Sequence, residues 1–174
     1  MKKYTYLPPR FKPSSKIVDV IDAQGNVVCK FKRTYKNFLT RLVYYVTNID
    51  WYVQIDVISN DRDIVYQCQK TTKLVGRPEY QVINCMTNEM FQVCQKSWQN
   101  IVPEFHIKYN SIDLVMKNEL LDWVRIFHNG EEVARWKMKT SEWFKTHLEI
   151  EEDCPIQEPE FFVCLLQNIF CVGD

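Results

Sequence analysis

The sequence predicts a mainly β domain of eleven or twelve antiparallel strands, mostly in hairpins, with a hydrophobic C-terminal α-helix that either fills a closed barrel or closes one end of it, and one further amphipathic helix near 36–47. Three observations carry this. Short stretches that alternate apolar and polar residues recur along the chain, separated by turn residues, as successive hairpins. The final residues, 159–174, hold Phe161, Phe162, Val163, Cys164, Leu165, Leu166, Ile169, Phe170, Cys171 and Val172, interrupted only by Gln167 and Asn168. Nine Tyr, ten Phe and five Trp against four Gly favour strands and a large core over Gly-rich phosphate loops.

Taken in order, residues 1–14 carry Pro8, Pro9 and Pro13 and read as an extended lead-in, either a strand-like arm packed on the domain or a polyproline ligand segment. Residues 16–22 (KIVDVID) and 27–33 (VVCKFKR) flank a turn at Gln24-Gly25-Asn26 and make the first hairpin. The period then changes. Phe38, Leu39, Leu42, Val43 and Val46 fall on one helical face with Lys36, Asn37, Thr40 and Arg41 opposite. A second hairpin joins 51–57 to 64–70 across Asn60-Asp61-Arg62-Asp63, a third joins 79–85 to 90–96, and a fourth joins 105–109 to 112–117 across Asn110-Ser111.

The fifth hairpin turns at His128-Asn129-Gly130-Glu131, where Asn-Gly is the strongest hairpin signal in the chain because both residues tolerate positive φ. A last strand at 144–151 sets Leu148 and Ile150 inward and Glu149 and Glu151 outward. That makes eleven strands, with the lead-in a candidate twelfth. So many antiparallel strands need closure or stacking to protect their edges.

The terminal run cannot form one amphipathic stripe, so a helix built from it is apolar on nearly all sides and must be enclosed. It is well short of the ~20 residues that a bilayer crossing needs, so it reads as a buried core helix over 159–173, within a single domain spanning 1–174. Pro159 and Glu160 suit its first turn and Gly173 its stop. The amides of Gln167 and Asn168 then require partners, either at a barrel mouth or on strand backbone.

A faint internal repeat sets Gly25 on Gly130, and with it Val28 on Val133, Lys30 on Arg135, Phe31 on Trp136 and Lys32 on Lys137. It records either duplication of one hairpin or convergence on one face pattern. With the 17–20 and 25–28 hairpin, the 129–137 segment (NGEEVARWK), the acidic 149–152 stretch and the terminal FFVCLLQNIFCVGD run, the chain resembles the tubby C-terminal-domain-like superfamily, in particular its small bacterial single-domain members. That resemblance implies a twelve-stranded barrel threaded by a hydrophobic C-terminal helix. Scramblase-like and plant LURP-one-related proteins share the superfamily. Its tubby members bind phosphoinositide head groups through basic surface residues, but their ligand motif has no residue-by-residue counterpart here. The 36–47 helix departs from the pattern as an insertion after the first hairpin, placed to cover a barrel end.

Lys plus Arg and Asp plus Glu each number 22, so no global field steers the chain onto nucleic acid. Any anion-binding role must be local. The best local patch is Lys30 and Lys32 on one strand face, with Arg135, Lys137 and Lys139 on the matching face of the repeat. Were the two hairpins to lie together, five cations would face one way, enough to hold a phosphorylated head group. The competing reading is the solvated outer face of barrel strands, neutralised by Glu131, Glu132, Glu149, Glu151 and Glu152.

No catalytic, metal-ligating or cofactor-binding motif appears. His106, His128 and His147 share no ligand spacing, Glu149, Glu151, Glu152 and Asp153 lack a calcium-type loop, and the seven cysteines form no CxxC pair. Those cysteines read as reduced core thiols, and a charged N-terminus without an apolar stretch reads as non-secretory, so a cytoplasmic location is expected. Trp51, Trp98, Trp123, Trp136 and Trp143 either pack the core or line a pocket. The leading functional reading is a non-enzymatic binding or scaffold domain contacting anionic phospholipid or a protein through its basic face. A calycin-like small-molecule barrel with the terminal helix outside, and an enzyme with a dispersed site, are the alternatives.

Overall fold

Alternation builds the wall. Along the strands alternate side chains turn inward and are mostly apolar, as with Phe31, Ile55, Val57, Val82, Ile107, Leu114 and Ile126, with Arg33 and Thr146 as buried polar exceptions, while Lys, Glu and Gln occupy many of the intervening outer positions. The computed structural model describes residues 1–9, 14–47, 53–59, 63–71, 77–96, 103–118 and 122–170. The elements are β1 (Lys2–Tyr6), β2 (Val18–Asp22), β3 (Val27–Tyr35), α1 (Phe38–Thr47), β4 (Val53–Ile58), β5 (Ile64–Thr71), β6 (Glu79–Asn84), β7 (Glu89–Gln95), β8 (Glu104–Tyr109), β9 (Ile112–Asn118), β10 (Val124–His128), β11 (Glu131–Lys139), β12 (Lys145–Ile150) and α2 (Pro159–Phe170), with a 3-10 turn at Thr140–Glu142.

The twelve strands form one closed antiparallel barrel in which sequence neighbours are also spatial neighbours. Closure comes from the lead-in. Instead of packing as an arm, it supplies β1, which pairs Lys2 to Tyr6 against Ile150 to Thr146 of β12 and pairs Tyr4 and Thr5 with Asp22 and Ile21 of β2. Among the described strands no sheet edge then remains to template association. Turn chemistry fixes the registers. Asn129 and Gly130 both take positive φ, 52° and 88°, as a tight two-residue hairpin turn requires. Gly25 does the same at φ 88° in the first hairpin, where the Asp22 carboxylate accepts the backbone N–H groups of Gln24 and Asn26.

The interior is filled by α2. Phe161 to Asn168 are buried without a break, and Phe161 packs on Tyr66 and Phe91 while Phe170 stacks on Trp136 at 5.3 Å. Each buried Phe, Leu or Val side chain contributes about 1.5–3 kcal/mol. The helix therefore lies inside the barrel, which overturns the calycin-like alternative with an exterior helix. The described helix ends at Phe170; Cys171 and Gly173 lie outside the described residues, as do Trp51 and Trp98.

Both helical amides find partners. Gln167 donates from Nε2 to the Tyr6 hydroxyl at 2.9 Å, and Trp136 donates from Nε1 to the same oxygen at 2.8 Å. Asn168 donates to the Cys68 carbonyl at 2.8 Å and to the Val53 carbonyl at 3.5 Å. Tyr6 of the closing strand is thus the acceptor that ties the helix to β11. Burial pushes its phenol far above the ordinary tyrosine value. Glu160, half-buried where α2 begins, also has its carboxyl raised, first by burial and then by the nearby Glu158 charge.

Three outcomes are expected. Leu166→Asp places an unpaired carboxylate in the fully buried centre of α2 and should abolish the cooperative thermal transition seen by circular dichroism, a loss of several kcal/mol. Tyr6→Phe leaves two buried donors unpaired and should cost about 1–3 kcal/mol in urea unfolding. For Glu160, a carboxyl whose pKa rises on folding destabilises when ionised; that effect is absent below its unfolded value near 4.5 and grows as pH rises through the folded one. Glu160→Gln should therefore raise Tm at neutral pH and leave it unchanged in acid.

Candidate functional site

The barrel has two unlike ends, and chain direction decides which residues reach each. At one end lie the described tight turns, 23–26, 85–88, 110–111 and 129–130, together with the link from β4 to β5. At the other lie the longer connections 7–17, 36–52, 72–78, 96–103, 119–123 and 140–144. The helix α2 enters at the turn end and runs toward the loop end, where Phe170 meets Phe105 and Trp136.

Charge follows the same axis. Toward the loop end the described chain carries Lys16, Lys32, Lys36, Arg41, Lys70, Lys96, Lys117, Lys139 and Lys145 against Glu79, Glu104, Asp122 and Glu142. Toward the turn end it carries Asp22, Asp63, Glu89, Asp113, Glu131, Glu132, Glu151, Glu152 and Asp153 against Lys2, Lys3 and Lys108. A chain with formal net charge zero thereby has a surplus of cations at one end of the barrel and of anions at the other. The sharpest asymmetry is local: residues 23–49 contain Lys30, Lys32, Arg33, Lys36 and Arg41 and no Asp or Glu.

Within that field the five cations singled out from sequence occupy two separate strands. Lys30 and Lys32 point outward from β3, and Arg135, Lys137 and Lys139 point outward from β11, but β2, β1 and β12 stand between. The two sets do not merge into one five-cation pocket. Several are engaged by neighbouring acids: Lys30 by Asp19 at 3.3 Å, Lys137 by Asp122 at 3.5 Å and Lys139 by Glu142 at 2.9 Å. Arg135 is held most firmly, its guanidinium 2.5 Å from Glu149, within reach of Glu132 at 4.0 Å and stacked over the Trp123 ring at 4.9 Å. Lys139 and His147 beside Glu142 hold its carboxyl below the usual range.

A cleft of about 640 Å³ opens at the loop end beside β11, lined by Asp122, Trp136, Lys137, Lys139, Glu142 and Phe170. Its floor is aromatic and its rim carries both signs of charge. Elsewhere the chemistry is quiet. The thiols of Cys29 and Cys164 are driven up by burial and that of Cys154 is pushed to about 11, so all three stay protonated at neutral pH, the reverse of what a nucleophile needs. Among the described residues no group of three or more His, Cys, Asp and Glu side chains is placed to hold a metal ion. Glu149 is engaged by Arg135 and, at 3.4 Å, by Lys3, while Glu152 lies 3.2 Å from the amine of Met1.

Sequence reasoning missed two features. The polarity of the barrel was open to view in the contrast between connection lengths, once alternate turns are assigned to alternate ends. The second is the exposed face of α1. Phe38, Leu39 and Leu42 lie on the apolar stripe read from periodicity, yet they are 79%, 64% and 45% exposed; the side chains of Val43 and Val46 lie outside the described residues.

This architecture, a closed twelve-stranded antiparallel barrel threaded by its own C-terminal helix, defines the class. The chain belongs to the Tubby C-terminal like domain family, whose model matches residues 4–172, nearly its whole length. No curated protein and no solved structure matches it.

Proposed function

We propose that this Tubby C-terminal like domain is a non-catalytic binding module that docks on anionic phospholipid through the basic half of its barrel. Lys30, Lys32, Lys137 and Lys139 supply head-group contacts, and Arg135 serves mainly to hold the wall together. The observation that carries the reading is the segregation of charge along the barrel axis in a chain whose net charge is zero. A basic end facing an anionic surface and an acidic end facing away orient the molecule before contact.

The ion pairs on the basic half do not oppose this. Lys30 and Asp19 are both about half exposed, and such surface pairs are worth about 0–1 kcal/mol, so a phosphate can take the place of the carboxylate. A non-enzymatic role is supported by an interior occupied by α2 and by buried thiols held in the protonated form. A reducing cytoplasmic setting belongs to the same proposal, supported by the free thiols of Cys29, Cys68, Cys154 and Cys164 packed as small apolar side chains.

Co-sedimentation with phosphatidylcholine vesicles, with and without phosphatidylserine, tests it. Binding is expected only to the anionic vesicles, and it should weaken as salt rises. Each lysine near such a surface contributes about 1 kcal/mol, so replacing Lys30, Lys32, Lys137 and Lys139 by Ala should lower the partition coefficient by more than about tenfold. Absence of binding at low salt, or equal binding by the quadruple variant, would overturn the reading.

A further inference from the structure

We propose that α1 is an interfacial anchor, in which Phe38, Leu39 and Leu42 insert among the acyl chains of an anionic bilayer while the acid-free segment around them holds head-group phosphates. This deepens the phospholipid reading and rests on it. The helix is already formed. Asn37 caps it reciprocally with Thr40: the Thr40 backbone N–H donates to Asn37 Oδ1 at 2.8 Å, and the Asn37 N–H donates to Thr40 Oγ1 at 3.1 Å. Arg41 lies over the Tyr35 ring at 5.9 Å, which fixes the first turn to the end of β3. Docking therefore needs no folding step, and the three apolar side chains already face solvent on one stripe.

The surroundings favour a lipid surface. Four neighbouring strands, β12, β1, β2 and β3, present their loop-end rims along one arc. On that arc, besides the α1 stripe, Leu7, Ile17 and Trp143 are exposed, Trp143 at 71%. Trp143 and Phe144 both take left-handed backbone, φ 59° and 68°, an uncommon state for bulky residues that turns the indole out to solvent. Interleaved with these side chains are Lys16, Lys36, Arg41 and Lys145. Exposed Leu, Phe and Trp among cations are what the boundary between head groups and acyl chains accepts.

A second copy of the chain fits the stripe less well. A two-fold contact through α1 would bring the same cations of residues 23–49 face to face with no acid in the segment to offset them. Three side chains also supply much less than the roughly 800 Å² per partner that a stable dimer buries.

The test uses the full chain, the same vesicles, and three proteins: wild type, the F38S/L39S/L42S variant and W143A. All replaced side chains are exposed, so matching thermal transitions confirm that the variants fold. The triple variant is expected to lose at least about tenfold in partition coefficient, with W143A weakened less. High salt should strip the triple variant from the vesicles while leaving a wild-type remainder bound. Hydrogen exchange should show the amides of 38–47 more strongly protected in wild type on vesicles than in free solution. Wild-type binding matched by the triple variant, without added protection of 38–47, would overturn the anchor and leave the basic-face reading standing. Absence of wild-type binding would overturn both. Wild-type dimers that become monomers in the triple variant would assign the stripe to a second copy and overturn the anchor.

Discussion

A helix without a polar face cannot lie on the outside of a protein, and most features of this molecule follow from that. Phe161 and Phe162, pointing in different directions from α2, both need walls, so the wall has to surround the helix instead of flanking it. An antiparallel meander closed into a cylinder satisfies this with local connections alone. The cost is polar: Gln167 and Asn168 are carried into an interior that offers few acceptors. Tyr6, brought in by the closing strand, and the carbonyls of Val53 and Cys68 meet that need. Closure and filling are thus the same event, since the strand that shuts the barrel also supplies the hydroxyl that accepts the helix amide.

Filling the lumen leaves the exterior as the surface open to partners. Calycin-type barrels bind ligands inside because their interior is free; here α2 occupies it, and the rim and outer wall are what remain. The two rims differ because tight turns collect at one end and longer connections at the other. Long connections carry most of the exposed apolar side chains and much of the basic charge, while Asp22, Glu89, Asp113, Glu131 and Glu132 sit on the strand ends that flank the turns. A rigid cylinder with one dressed end separates stability from surface chemistry, because loops can vary without disturbing the pairing beneath them.

Much of this was legible in the sequence, for physical reasons. Alternation at period two and the Asn129-Gly130 turn specify hairpins directly, and ten apolar positions around Gln167 and Asn168 leave burial as the only fate of α2. Other parts were not. The β1 strand is five residues long beside two prolines, too short to advertise its pairing with β12. The likeness between the hairpin at Lys30 and Lys32 and that at Arg135 and Lys137 reports a shared face pattern, but neighbourhood is set by strand order, which puts three strands between them. Likewise the period of Phe38, Leu39 and Leu42 reveals a stripe without revealing what, if anything, covers it.

The pairing of β1 with β12 has a consequence for how the molecule comes into being. Lys2 and Ile150 are partners at opposite ends of the sheet's path, so the seam joins segments that leave the ribosome at very different times. Until β12 has been made, β1 and β2 present an open edge and the apolar interior has no occupant. Synthesis therefore passes through a long interval in which the wall exists without its plug, and native assembly is expected to be a late, largely single-step event with high contact order.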